Sequence, residues 1–170
     1  MVEKPEYTVL EKLGEAEIRR YPPLILATAT AGSPFRLLFN YISGANRGSS
    51  KISMTAPVIT PEKIAMTSPV ISGGSSMSFV VPSKYTRETV PEPTDERVKI
   101  EEVPERILAV IQFRGRVQNK DIEKHINTLL SALVEHEMKT VGEPFLMRYN
   151  PPYTPGVLRR NEVAVQVEYN

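Results

Sequence analysis

The chain has 170 residues, including 15 prolines and no cysteine, and its formal net charge is +1. This length fits one domain, and the lack of cysteine excludes disulfides, thiolate metal sites and cysteine nucleophiles. A nearly neutral chain has no net field to attract nucleic acid. No stretch approaches the roughly 20 apolar residues that cross a bilayer, and the N-terminus lacks the apolar segment of a signal peptide. We therefore expect a cytoplasmic protein that binds neither nucleic acid nor membrane.

The first part of the chain predicts short strands followed by a short helix. Residues 7–31 are rich in β-branched and aliphatic side chains, which is typical of two or three strands. Ser33-Pro34 then suits the N-cap and first position of a helix, and Gly44 suits the residue after its end. The sequence therefore predicts a helix over Phe35 to Ser43.

The apolar surface of this helix is wider than packing on a sheet requires. Its polar residues cluster on one side, whereas its apolar residues cover an arc of about 200°, roughly twice what a surface helix needs. The apolar residues are Phe35, Leu37, Leu38, Phe39, Tyr41 and Ile42. One side of the helix could thus face a sheet while another contacts a ligand, although an apolar stripe at this spacing is also typical of ordinary core.

Two strands and a connector are predicted next. The strands are residues 64–71 and 76–82, and Gly73-Gly74 with the flanking serines is typical of a turn between them. A proline-rich, charged stretch over residues 86–96 then predicts a connector. We place the division between two halves there, at about residues 1–90 and 91–170.

The second half repeats the order of strands and helix. Residues 98–114 predict two strands around Pro104, and Asn119 is predicted to cap a helix from Lys120 to about Met138. The apolar residues of that helix form one stripe, Ile122, Ile126, Leu129, Leu130 and Leu133. The last two strands are predicted at residues 145–149 and 162–169. The order predicts an α+β fold in which two similar halves form one curved sheet or barrel, covered by two helices.

An internal repeat lies within the first half, after the predicted helix. Residues 51–59 read KISMTAPVI and residues 63–71 read KIAMTSPVI, so seven of nine positions are identical at a spacing of twelve. Two copies are too few for a solenoid. The repeat is either a local duplication in a loop and edge strand or part of a ligand site, in which Met54 and Met66 would contact a flat apolar ligand.

Four segments in order resemble the SOUL haem-binding family. They are AEIRRYPP from Ala16, FNYISGAN with KISMTAPV over residues 39–58, MSFVVPSKY from Met77, and YNPPYTPGVLRRNEV from Tyr149. The resemblance covers nearly the whole chain. It implies a twisted eight- or nine-stranded antiparallel sheet closing toward a barrel, with two helices and two similar halves. It also implies that haem or a related tetrapyrrole lies against the first helix and adjacent strands, held largely by apolar contacts.

Ten residues are the candidates for contact with this cofactor. The apolar and aromatic candidates are Phe35, Leu38, Phe39, Ile42, Tyr41, Met54 and Met66, and the cations near the propionates are Arg36, Arg47 and Lys51. Arginine can pair bidentately with a carboxylate. These cations could equally be ordinary solvated surface charges. Asn40 stands where the family often has a lysine, so that propionate contact is missing here.

The sequence does not single out an iron ligand. Some family members carry a proposed histidine ligand where this chain has Arg20, which cannot bind iron. The two histidines, His125 and His136, lie about 16 Å apart on the second helix and cannot bind one iron together. Ligation by Tyr41, Met54 or Met66, or by no strong protein ligand, stays open. A weak, exchangeable complex would follow.

Catalysis is not expected, because the sequence contains no nucleophile, metal-binding or dinucleotide motif. The alternative to haem binding is a small-molecule effector-binding or protein-interaction module of the same fold, since this fold resembles the ligand domains of certain bacterial transcription regulators. A further cluster, Arg159-Arg160-Asn161-Glu162, could hold an anion or could act as an ion-paired lock on the last strand.

Overall fold

The computed structural model describes residues 3–30, 33–61, 76–115, 118–149 and 155–170. The strands in this part of the chain are β1 Thr8–Leu13, β2 Ala16–Tyr21, β3 Leu24–Ala29, β4 Val58–Pro61, β5 Met77–Val80, β6 Val98–Val103, β7 Arg106–Arg114, β8 Thr140–Arg148 and β9 Arg160–Val167. The helices are α1 Pro34–Ile42 and α2 Asn119–Glu135, and a 3-10 turn, Gly156–Leu158, precedes β9.

The predicted elements agree with these bounds except at a few ends and at β4, Val58–Pro61, which was not among the predicted strands. The helix α2 has Gln118 as its N-cap, so the prediction that Asn119 caps it was wrong by one residue. The helix also ends three residues before Met138. The strand β8 begins at Thr140, five residues earlier than predicted. The predicted strand over residues 64–71, with the second copy of the repeat, lies outside the described residues.

The nine strands form a single antiparallel sheet. Their order is β1-β2-β7-β9-β8-β4-β5-β3-β6, so β1 and β6 are the two edges among the described strands and the sheet is open. The prediction of an α+β fold with a nine-stranded sheet and two helices is confirmed. Of the two forms that the sequence left open, the described strands adopt the curved sheet and not a closed barrel.

Two units with the same strand order make up the centre of the sheet. In the unit β3-α1-β4-β5 the third strand lies between the first two, as β3-β5-β4, and the unit β7-α2-β8-β9 is arranged as β7-β9-β8. The units meet where β4 pairs with β8. The strand β6 pairs with β3 of the first unit, and β2 pairs with β7 of the second, so each half of the sequence contributes a strand to the other unit.

Both helices pack on one face of the sheet. The stripe predicted on α2 is buried, and its residues Ile122, Ile126, Leu129 and Leu133 pack against β7, β8 and β9. The helix α1 packs against β3, β5 and β6 at the other end of the sheet. Residues paired across neighbouring strands lie on the same face of the sheet. Leu146, which lies under α2, pairs with Thr60 of β4, so the regions covered by α2 and by α1 belong to one face. Each buried leucine contributes about 2 kcal/mol to this packing.

The opposite face of the sheet has its own core cluster and is crossed by the N-terminal segment. The cluster includes Tyr21, Leu108, Phe145 and Tyr149, and Tyr7 packs against it. The N-terminal segment is held in place because the Glu3 carbonyl accepts a hydrogen bond from the Ala56 amide, at 3.0 Å. One end of the sheet is therefore lined by this segment as well as by strand ends.

Candidate functional site

The wide apolar arc of α1 is divided between the core and the surface. Leu38 and Tyr41 are 0% and 1% exposed, and Ile42 is also buried against the sheet. Phe35 and Phe39, by contrast, are 46% and 51% exposed. One side of the helix therefore faces the sheet, as predicted, and contact of another side with a ligand stays a prediction. Only the two phenylalanines of this set offer broad apolar surface.

The two exposed rings form an ordered aromatic surface. They lie one helical turn apart, with centroids 6.3 Å apart and ring planes inclined by 16°. The Phe35 ring also packs edge-on against the buried ring of Phe79 in β5, with 6.1 Å between centroids. Because Phe79 belongs to the core, the exposed pair is anchored to the sheet. It can therefore present a flat face to a ligand without first ordering itself.

A buried asparagine fixes the loop that follows α1. The Asn46 side-chain amide donates hydrogen bonds to the carbonyls of Tyr41 and Ser50, at 2.9 and 2.8 Å, and its oxygen accepts one from the Ser50 amide at 2.9 Å. The Ile52 amide then donates to the Ile42 carbonyl at 2.8 Å. Residues 46–52 are thus tied to the C-terminal end of α1. Sequence reasoning missed the role of Asn46, although a polar residue between Gly44 and Gly48 was a signal for it.

Three candidate cations accompany these elements. Arg36 lies on α1 next to Phe35, and Arg47 and Lys51 lie in the loop that Asn46 fixes. All three are exposed, and none has an ion-pair partner among the described residues. The structure thus places three uncommitted positive charges on and just after α1. We call Phe35, Phe39, Arg36, Arg47 and Lys51 the α1 surface.

Of the two methionines of the repeat, Met54 lies within the described residues. Met54 is 39% exposed and lies two residues beyond Ile52, so it follows closely on the loop joined to α1. Its thioether is a soft, polarizable group available from solvent. Met66 lies outside the described residues, and its assignment to the site stays a prediction.

Tyr41 is committed to the core. Its hydroxyl donates a hydrogen bond to the Pro91 carbonyl at 2.5 Å. Burial, reinforced by the nearby Glu92 carboxylate, raises the pKa of Tyr41 to about 12. An iron ligand would have to be the phenolate, and both the burial and the raised pKa disfavour that form at neutral pH. Tyr41 therefore supports α1 from beneath.

The histidines lie on the other helix. The ring of His125 stacks on Phe113 with 4.1 Å between centroids, and the Nδ1 of His136 lies 2.8 Å from the Ala132 carbonyl. Since α2 packs on β7, β8 and β9 whereas α1 packs on β3, β5 and β6, both are remote from the α1 surface. Arg20 is paired at 3.7 Å with Glu105. In the described part of the chain, no group of three or more acidic or histidine side chains is arranged to hold a metal ion.

The Arg-Arg-Asn-Glu cluster contributes a buried ion-pair network on the opposite face of the sheet. Glu162 is fully buried, and its Oε2 accepts from Arg19 at 2.9 Å and from Arg160 at 3.0 Å. Asn161 donates to the Gly115 carbonyl at 3.0 Å. These contacts tie β9 to β2 and to the end of β7, as the lock interpretation requires. They are made within the protein, behind the sheet from the α1 surface.

Comparison with known proteins identifies relatives over almost the whole chain. The family model described as SOUL heme-binding protein matches residues 2–166. Heme-binding protein 1 of Xenopus laevis is 29% identical over 147 residues, which is 81% of this chain and 75% of that protein. Heme-binding protein 1 of Xenopus tropicalis is 28% identical over the same shares of both chains.

Solved structures share the fold at low sequence identity. The EcmrR C-terminal domain has a TM-score of 0.59 and 10% identity, covering 96% of this chain and 99% of that one. An uncharacterized conserved protein from Listeria innocua has a TM-score of 0.62 and 9% identity, covering 91% and 92%. A structure described as a hydrolase from Listeria innocua has a TM-score of 0.59 at 9% identity, covering 91% and 92%. No described helix is long and apolar enough to span a membrane.

Proposed function

Because the chain belongs to the SOUL heme-binding protein family, we propose that it binds haem or a related tetrapyrrole on the α1 surface, without catalysing a reaction. The observation that carries this proposal is the stacked, exposed pair Phe35 and Phe39 accompanied by three cations without ion-pair partners. A tetrapyrrole is a flat apolar ring with carboxylate side chains. On the α1 surface, the two phenylalanines complement the ring and the three cations complement the carboxylates.

The apolar part of the ligand supplies most of the binding free energy in this proposal. Phe35 and Phe39 expose about half of their surface, and covering a phenylalanine side chain contributes about 1.5–3 kcal/mol when burial is complete. The edge-on contact of Phe35 with Phe79 holds the ring in place, so little conformational entropy is lost on binding. Because only about half of each phenylalanine is available to a ligand, we expect modest affinity and a readily exchanged ligand.

In this proposal, ion pairs between the propionates and the three cations orient the ligand on the α1 surface. Arg36, Arg47 and Lys51 are exposed, so each ion pair with a propionate stays solvated and contributes less than about 1 kcal/mol. Their contribution weakens as salt is added, because exposed charges are screened over about 8 Å at physiological ionic strength. We therefore expect the affinity to fall moderately with salt and to persist at high salt through the aromatic contacts.

Iron ligation by histidine has no part in this proposal. His125 and His136 belong to α2, which packs at the other end of the sheet, and Tyr41 is held in the core. Met54 is an exposed soft group that follows the loop after α1. Its thioether would be the protein group offered to the iron, and thioether ligation of haem iron is chemically reasonable.

The test is a haemin titration of the purified chain, followed by the Soret band. We expect saturation near one equivalent and a band shifted from that of free haemin. The double variant Phe35→Ala/Phe39→Ala should bind at least tenfold more weakly, since it removes more than about 1.4 kcal/mol of apolar contact. Met54→Ala should alter the shape of the band while leaving most of the affinity.

Two matched variants separate the α1 surface from nonspecific association. Val134→Ala truncates another exposed apolar residue, 76% exposed on α2, and should bind haemin like the wild type. His125→Ala/His136→Ala should also leave the Soret band unchanged. Equal affinities for the phenylalanine double variant and the Val134 variant would contradict the proposal, as would loss of the shifted band in the histidine variant.

A further inference from the structure

A cleft of about 1060 Å³ lies at one end of the sheet, away from α1. It is formed where β3 begins and where β5 and β6 end, and the N-terminal segment and the loop after β5 form its walls. Its volume is at the upper end of the range of small-molecule sites, which is about 300–1,000 Å³. We call it the sheet-end cleft.

The interior surface of the sheet-end cleft is mainly apolar. Its strand residues are Leu24, Ile25, Val80 and Val103. Val81, directly after β5, and five prolines add apolar surface around them. Proline side chains and strand ends lose little freedom on binding, so the cleft is largely preformed. A cleft of this kind favours a ligand with an apolar body.

The ionisable groups around the cleft carry an excess of negative charge. Four carboxylates and two cations line it. Arg87 is neutralised by Glu92, with 2.6 Å between Nη1 and Oε1, and Glu3 accepts a hydrogen bond from the Ser83 amide at 3.0 Å. The remaining carboxylates, Glu6, Glu88 and Glu102, are exposed and have no ion-pair partner among the described residues.

From this combination we propose that the sheet-end cleft is a second binding site, which takes an amphipathic organic cation with an aryl or alkyl body and one positive charge. The apolar strand ends cover the body, and Glu88 and Glu102 attract the charge. Tyr85, which also lines the cleft, already has the Lys84 Nζ 5.2 Å from its ring centroid, so its ring is one that takes cation–π contacts. The site is distinct from the α1 surface, since no residue of α1 lines it and its carboxylates repel the propionates of a tetrapyrrole.

The test uses two dyes that fluoresce when immobilised, with no haem present. Thioflavin T is an aryl cation, and anilinonaphthalenesulfonate is an aryl anion of similar size. We expect saturable binding of thioflavin T to the full chain, weakening with salt, and little binding of the anionic dye. Glu88→Gln/Glu102→Gln should weaken thioflavin T binding about tenfold at low salt, because each removed charge within about 6 Å accounts for roughly a threefold change.

A charge-matched variant and an α1 variant complete the test. Glu15→Gln/Glu143→Gln removes two exposed carboxylates elsewhere and should leave thioflavin T affinity within twofold of the wild type. Phe35→Ala/Phe39→Ala should also leave it unchanged, so this proposal can fail or succeed independently of haem binding. Loss of thioflavin T binding in the phenylalanine variant, equal binding of the anionic dye, or equal affinities of the two glutamine variants would overturn it.

Discussion

At the scale of single residues, Asn46 links stability to the α1 surface. Its side chain makes three hydrogen bonds that hold residues 46–50 against the end of α1. Asn46→Ala leaves these backbone groups without their partners, so we expect the free energy of unfolding to fall by about 2 kcal/mol. Urea denaturation measures this. Haemin affinity should also fall severalfold in a Soret titration, because Arg47 and Lys51 lose their fixed position.

The matched control for this prediction is Asn40→Ala. Asn40 is exposed on α1, and its side chain makes no hydrogen bond within the described residues. We expect its variant to keep wild-type stability and affinity. A haemin affinity of the Asn46 variant equal to that of the Asn40 variant would show that the loop does not position the cations.

The sequence could identify residue types at the site but not their individual exposure. Phe35 and Leu38 belong to the same apolar arc and are chemically similar candidates, yet one is half exposed and the other is fully buried. What separates them is the position of β3 and β5 beneath α1, which depends on long-range strand pairing. Asn46 was missed for the same reason, because its hydrogen bonds exist only once the loop has folded back on the helix.

At the scale of elements, the end of α2 shows a strained helix terminus. Glu137 has a φ of 55°, and the Met138 amide donates to the Leu133 carbonyl at 2.9 Å. Glycine is the residue that normally adopts this left-handed conformation without a steric penalty. Glu137→Gly should therefore stabilise the protein by about 0.5–1 kcal/mol in urea denaturation.

A second glycine variant shows whether the effect comes from the left-handed position. Glu135 is the last residue of α2 and has helical conformation, so Glu135→Gly should destabilise the protein by about 0.5–1 kcal/mol. The opposite signs of the two variants are the expected outcome. Destabilisation by both would mean that the Glu137 side chain matters more than its backbone strain.

This terminus also explains where element prediction failed. The sequence offers no glycine near the end of α2, so its apolar periodicity predicted a helix reaching Met138. The start of β8 was missed because a register shift between Val141 and Phe145, with Gly142 at a φ of 78°, interrupts the alternation of side chains. The helix α1, by contrast, was placed within one residue because Pro34 and Gly44 mark its ends.

At the scale of the whole molecule, the sequence predicted the composition of the fold but not its strand order. Alternating patterns and the family resemblance indicated two strand–helix–strand–strand halves. The exchange of β2 and β6 between the two units is a non-local pairing, which no local pattern of residues specifies. The sheet-end cleft was also beyond sequence reasoning, because its walls come from the N-terminal segment, β3, the loop after β5 and β6.

Buried tyrosines on both sides of the sheet predict loss of stability at alkaline pH. Burial is the main cause that raises the pKa of Tyr21, Tyr41 and Tyr149 in the folded protein, to about 12 for Tyr41. An unfolded tyrosine has a pKa of about 10, so above that pH the folded state retains protons that the unfolded state loses. The free energy of unfolding should therefore fall between about pH 10 and pH 12. Urea denaturation across this range should show a shallower decline of the free energy of unfolding with pH for Tyr41→Phe than for the wild type. Equal slopes for the two proteins would mean that Tyr41 does not contribute to the alkaline loss of stability.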